Sequence, residues 1–169
     1  LAITSGFSGS LSSGLHHAKR THEEGLCYIN GLVLAALRAL NVHGLTDVGI
    51  LDLDAHCGGG TFQLIGNDAR VRLADVSTNS YDSWKSFELR HRLKIVRDAQ
   101  NYLSEVQKAL KHLLGVQLLI YNAGMDPFEG CSTGGHPGIT REVLQQREKL
   151  VADWCRHNNV PVLFVLAGG

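Results

Sequence analysis

The chain has 169 residues, and its 16 Lys and Arg balance 16 Asp and Glu to a formal charge of zero. That length allows one ordinary domain with a real core, and the balanced charge, with no basic stripe, leaves no electrostatic footprint for nucleic acid. No apolar run approaches the roughly 20 residues of a membrane helix, no signal-peptide pattern opens the chain, and four cysteines without a C-x-x-C pair (Cys27, Cys57, Cys131, Cys155) suit a reducing compartment better than a disulfide framework.

A cytoplasmic setting, with the nucleus also open, is the matching expectation. Residues 1–15, LAITSGFSGSLSSGL, are small and polar without a period and read as a loop. NGLVLAALRAL, from Asn30, is apolar nearly all round and predicts a buried helix with Asn30 near its cap. TDVGILDLD (46–54) predicts a short buried strand and VRLADV (71–76) a second. The run 98–114 puts Tyr102, Leu103, Val106, Leu110 and Leu113 on one helical face, and VQLLIYNAG, from Val116, is a third strand. The run 139–159 carries Val143, Leu144, Leu150, Val151 and Trp154 at helical spacing, and VPVLFVLAGG, from Val160, is a fourth strand. Strands alternating with helices imply parallel pairing through right-handed crossovers. The expected fold is therefore a three-layer α/β/α arrangement on a mostly parallel sheet, read as one domain because no repeat or low-complexity linker divides it.

LDLDAHCGGGT (51–61) sets three metal-ligand types, Asp52, Asp54 and His56, at every second residue where an apolar strand ends. In such sheets ligands bind beyond the carboxyl ends of the strands. Period-2 geometry puts the three side chains on one side of the chain while it stays extended, and the glycines that follow free the backbone to turn. Asp126, in YNAGMDPFEG, comes just past the strand from Val116, so two parallel strands deliver Asp54, His56 and Asp126 to one rim. Two carboxylates and an imidazole, with a position left for water, fit a catalytic metal site; the ligand set alone does not choose between Zn²⁺ and Fe²⁺. The bland alternative is that these carboxylates cap turns, as Asp126 before Pro127 often would. His16 and His17, in SSGLHHAKR, stand shortly before the helix that feeds the metal-bearing strand. At the rim, one of them would act as general base on a metal-bound water.

SGLHHAKRTHEEGLCYINGLVLAA, GILDLDAHCGGGT, LIYNAGMDPFEG and the closing LAGG resemble successive motifs of the histone deacetylase family, in that family's order and over nearly the whole chain. The wording is nearest the class IV type. The resemblance implies an arginase-like α/β fold and a zinc-dependent amidohydrolase acting on acyl amides, such as acetyl-lysine or acetylpolyamine. On it, Asp54, His56 and Asp126 match the metal ligands and His17 the general base and acid. His16 matches a second histidine that donates to the buried Asp52, and Gly25 a residue whose carbonyl accepts from the substrate amide. The carbonyls of Asp52, Asp54 and His56, with Ser77 and Thr78, match a structural potassium site. Metal and His17 would activate water, and the oxyanion would be held by the metal and a tyrosine.

The departures from the family pattern are specific. Gly59 stands where the family has an Asp or Asn that accepts from the base histidine, so His17 is expected to lack an orienting partner. Leu26 replaces a tunnel-wall phenylalanine, and Cys57 replaces a histidine and reads as a small tolerated residue. The family's catalytic tyrosine would follow Gly169, the last residue given; Tyr28, Tyr81, Tyr102 and Tyr121 do not match its motif position. The family's first strand and helices are missing at the other end. These features predict the central portion of a larger domain, its sheet incomplete at both ends, with self-association through exposed edges. Two other readings compete. A binuclear manganese hydrolase of the arginase sort needs another acid at position 58, which is Gly58. A non-catalytic or weakly active fragment that binds metal or an acyl ligand would follow from the missing tyrosine and the missing partner at Gly59.

Overall fold

The computed structural model describes residues 1–168; Gly169 lies outside them. In chain order the elements are α1 (Ala2–Ser5), β1 (Phe7–Ser10), α2 (Gly31–Asn41), β2 (Val48–Asp52), α3 (Gly59–Ile65), β3 (Val71–Ser77), β4 (His91–Ile95), α4 (Tyr102–His112, entered through a short 3₁₀ turn at Ala99–Asn101), β5 (Leu118–Gly124), α5 (Arg141–His157) and β6 (Val162–Ala167). The six strands form one sheet in the order β1-β6-β5-β2-β3-β4, and every pairing is parallel.

The central strands explain themselves from their composition. Every residue of β2 and β5 is buried, as expected for strands covered on both faces. Alternate residues feed two separate cores. Val48 and Ile50 of β2 pack with Leu32, Val33 and Ala36 of α2 and with Ile65 of α3. Leu51 and, just past the strand, Leu53 pack on the opposite face with Tyr102 and Val106 of α4 and with Leu144 and Val151 of α5. Helices therefore cover both sides, and the parallel sense of the sheet brings the C-terminal ends of β2, β3 and β5 to one rim. Asn30 caps α2 by accepting from the Val33 N–H. It also donates to the Thr61 hydroxyl and the His16 carbonyl, which ties the histidine loop to α2 and α3.

Several sequence expectations need correction. Residues 7–10 are a strand, not loop: β1 pairs with β6 in the register Phe7↔Val162. Its four residues alternate exposed and half-buried, and so few small and polar residues carry no hydrophobic period. The glycines after Cys57 do not simply loosen the chain; Gly59 and Gly60 open α3. The edge strand β4, HRLKI, was also not foreseen, because its charged residues hide its alternation. Helix α2 is buried on one face only, with Leu34 and Leu37 exposed. Among the described residues no helix is long and apolar enough to cross a membrane.

Candidate metal centre and its surroundings

Strand β2 ends at Asp52, and the chain then bends through residues 54–56. Asp54, His56 and Asp126 are therefore not aligned by strand alternation. Each carboxylate instead folds the backbone just beyond it: Asp52 accepts from the Asp54 N–H at 3.2 Å, and Asp54 from the His56 N–H at 3.0 Å. Asp126, past the end of β5, accepts from the Ala55 N–H at 2.9 Å and pins the bend from the neighbouring strand. Turn capping and ligand convergence are the same geometry here.

The donor atoms of Asp54, His56 and Asp126 lie within 4.8 Å of one another. His56 Nδ1 sits 3.0 Å from Asp126 Oδ2 and 3.2 Å from Asp54 Oδ1. Its other nitrogen, Nε2, is 3.3 Å from the Thr133 carbonyl oxygen, the kind of partner that leaves Nδ1 as the ligating atom. Hydrogen bonds to Asp126, and then to Asp54, push the His56 imidazole up to about 10. Burial drives Asp126 up. Burial would also raise Asp54, but His56 and His16 outweigh it and hold Asp54 at about 2. His56 Nδ1 thus faces both carboxylates across the point where a cation would sit. The O, N, O donor set suits Zn²⁺ or Fe²⁺.

Asp52 lies apart from this trio. It has no exposed surface, accepts from the Asn122 amide at 2.8 Å, and has His16 Nδ1 at 2.8 Å. Burial works against a charge on His16, but Asp52 in direct contact, with Asp54 behind it, pushes the imidazole up to about 10. His16 Nε2 lies 3.6 Å from Asp54 Oδ1, so the buried ring bridges Asp52 to the trio. Across the sheet Asp52 is in register with Asp75. Asp75 accepts from the Gly58 N–H and the Trp84 indole, and also from the Ser77 hydroxyl. Burial, and then the neighbouring Asp52, push Asp75 up to about 7. Thr78 follows with a buried hydroxyl that has no partner among the described residues. Cys57 donates to the Asn79 carbonyl, and burial pushes its thiol up to about 12, so it is an inert core residue.

His17 is not left without an acceptor, contrary to the expectation from Gly59. Its Nδ1 is 2.9 Å from Asp82 Oδ2, and Asp82 also takes an ion pair from Lys19. Asp82 comes from the loop after β3, five residues beyond the strand end. Tyr81 beside it sets its ring edge-on to His17 at 5.1 Å and to His56 at 6.0 Å. The aromatic wall that Leu26 lacks is therefore supplied from another loop. Gly25 and Leu26 both have positive φ, 55° and 60°, inside a tight turn closed by the Cys27 N–H to the Glu24 carbonyl. Only glycine fits at position 25, since a Cβ there would stand 2.4 Å from the His17 ring. The Gly25 carbonyl accepts from the Cys27 thiol at 3.3 Å, and Leu26 is 87% exposed at the mouth. His16, His17, Gly25, Leu26, Asp54, His56, Tyr81 and Asp126 all line one open cleft of about 710 Å³.

Sequence reasoning missed Asp75, Tyr81, Asp82 and Lys19. The available signal was topological. β3 neighbours β2, so the loop after β3 opens on the same rim, and NSYDSW is that loop.

The model of the histone deacetylase domain matches residues 2–169. An uncharacterized protein of Picosynechococcus sp. is 30% identical over the whole chain, which covers 58% of that protein. Histone deacetylase 2 of Arabidopsis thaliana is 26% identical, again over the whole chain, which covers 46% of it. The chain thus spans about half the length of these relatives. An acetylpolyamine aminohydrolase from Burkholderia pseudomallei superposes with a TM-score of 0.84 at 20% identity, over 99% of this chain and 53% of that one. The HDA15 HD domain superposes at 0.79 and 22% identity, over 99% and 53%. These two likenesses carry the fold: an arginase- and deacetylase-like α/β architecture. With the matched domain running from residue 2 to 169, the chain belongs to the histone deacetylase family.

Proposed function

We propose that the chain carries the metal centre of a deacetylase-type amidohydrolase that cleaves N-acyl amides. The observation that supports this reading is the placement of Asp54, His56 and Asp126 on the same cleft as the His16–His17 pair. The three ligands would hold one divalent cation, Zn²⁺ or Fe²⁺. When bound, the cation supplies Lewis acidity toward an acyl oxygen and lowers the pKa of water.

The chain's own residues account for the remaining parts of the chemistry. His17, on the cleft wall, takes a proton from water at Nε2 and returns one to the leaving amine. His16, charged and buried against Asp52 and Asp54, contributes a fixed positive field beside the reacting group. Tyr81 and Leu26 wall the entrance and exclude water from an acyl chain. The Gly25 carbonyl exchanges its weak thiol partner for the substrate amide. A structural potassium ion, held through the carbonyls of Asp52, Asp54 and His56 with Ser77 and Thr78, fits the adjoining rim. Two buried carboxylates stand in register there, and the Thr78 hydroxyl is unsatisfied among the described residues.

The substrate class is an acetylated amine, protein acetyl-lysine or an acetylpolyamine, in keeping with the names of the relatives. The test is to load the full chain with Zn²⁺ or Fe²⁺ and measure hydrolysis of acetyl-lysine peptides, acetylpolyamines and simple acetamides side by side. Metal-dependent release of acetate from any of these supports the reading. Stoichiometric metal binding with no turnover on the whole panel would instead make these 169 residues a metal-binding unit that does not hydrolyse acyl amides by itself.

A further inference from the structure

We propose that Asp82, clamped by Lys19, is the positioning carboxylate of His17, and that it supplies from the loop after β3 the acceptor that residue 59 cannot provide. This rests on the reading of His17 as the proton-transfer group. Asp82 Oδ2 lies 2.9 Å from His17 Nδ1 and accepts from the Gly60 N–H at 3.2 Å. Oδ1 takes the Lys19 ammonium. Both oxygens of the carboxylate are therefore engaged, and the three side chains are nearly enclosed, at 8%, 6% and 11% exposure for His17, Asp82 and Lys19.

Two further observations argue that this arrangement is built rather than incidental. A Cβ at Gly59 would stand 2.1 Å from Asp82 Oδ1 and 2.5 Å from the Asp82 carbonyl oxygen. Position 59 is thus empty because Asp82 fills its space, and a side chain at 59 and the carboxylate of Asp82 exclude each other. Asp82 also holds φ at +54°. That left-handed conformation is costly for a side-chain-bearing residue, and aspartate is among the few that tolerate it. Strain of this kind persists where the surrounding contacts over-determine it. A carboxylate needed only to tie the loop would not have to meet a ring nitrogen.

The consequence is a fixed tautomer. An acceptor on Nδ1 keeps the proton there and leaves the lone pair on Nε2, for which no protein partner exists among the described residues. Burial alone would raise the Asp82 carboxyl, but hydrogen bonds from His17 and Lys19 hold it below its ordinary value, so it stays an anion able to accept.

The experiment removes the carboxylate, or only its charge. Asp82→Gly removes it while suiting the left-handed backbone, so folding is favoured. Asp82→Asn keeps a neutral oxygen for His17 Nδ1 and the Gly60 N–H, both of which meet Oδ2, and asparagine also tolerates the left-handed backbone. On the full, zinc-loaded chain, ¹⁵N NMR of the histidines reads the His17 tautomer, and steady-state kinetics separate kcat from KM. A hydroxamate titration reports whether the metal site persists. Asp82→Gly should lose the Nδ1–H tautomer as the dominant form, lower kcat about 10–100-fold with KM little changed, and keep hydroxamate affinity. Asp82→Asn should keep the tautomer and most of kcat. An unchanged tautomer in Asp82→Gly would overturn the proposal, as would Asp82→Asn no better than Asp82→Gly. If no variant hydrolyses any acyl amide, the hydrolase reading fails on its own, and the tautomer still decides the role of Asp82.

Discussion

Asp52 and Asp75 stand in register on adjacent parallel strands, both without exposed surface, and Asp52 alone of the two is in direct contact with the buried His16. Asp75 is the partner that yields: burial and Asp52 push it from 3.8 up to about 7. Between those values the folded chain holds a proton that the unfolded chain has lost. Stability should therefore fall as pH rises from about 4 to 7. Asp75→Asn keeps acceptors for the Gly58 N–H and the Trp84 indole and removes the charge. Urea unfolding in a tetramethylammonium buffer should show a flatter profile in the variant, which gains about 2–4 kcal/mol at pH 8 relative to the parent's own drift. Parallel profiles for the two proteins would refute the assignment.

Metal content should separate the two kinds of aspartate. Asp54→Ala, His56→Ala and Asp126→Ala should each lose most bound zinc after reconstitution. Asp52→Asn should keep most of it while lowering turnover, since Asp52 reaches the trio only through His16 and the Asp54 N–H. Elemental analysis of dialysed protein is the measurement; complete metal loss in Asp52→Asn would place that residue among the ligands.

Arg147 sits fully buried behind the centre, with Nη1 donating to the Gly124 carbonyl at 2.7 Å and to the Leu53 carbonyl at 3.2 Å. Those carbonyls lie one residue before Asp54 and two before Asp126. Arg147→Met should strand both at about 1–3 kcal/mol each. Its ion-pair partner Glu148 is 41% exposed on its side chain and can turn to water. Chemical denaturation should show the loss, and zinc affinity should weaken with it. A variant of unchanged stability would mean that the strand ends hold themselves.

Tyr81→Ala should remove the edge-on wall over His17 and His56 without touching a ligand. Substrate and hydroxamate affinity should drop about 3–10-fold, with metal content unchanged, as isothermal titration on the loaded protein would show. An affinity within twofold of the parent would remove Tyr81 from the cleft's binding surface.

The sequence made the convergence of Asp54, His56 and Asp126 legible because each follows an apolar run long enough to be identified as a strand, and the order of strands and helices decides which ends share a rim. Their exact alignment was not legible: Asp52 closes β2, and the bend after it, made by side-chain to backbone bonds, replaces the expected alternation. The partner of His17 was hidden for a related reason. Asp82 lies 65 residues away in a polar loop with no period, and Gly59 looks like a vacancy unless the space around it is known. β1 and β4 escaped because short edge strands with polar or charged residues lack the burial that creates a pattern.

The central claim is that one cation at Asp54, His56 and Asp126 serves acyl-amide hydrolysis, and the most direct measurement is the initial rate of the full chain against added zinc. The account predicts no significant rate in the metal-free protein, a linear rise to one equivalent per chain, a plateau beyond it, and no rise at all in Asp126→Ala. A full rate in metal-free protein, or a rise in Asp126→Ala matching the parent, would contradict it.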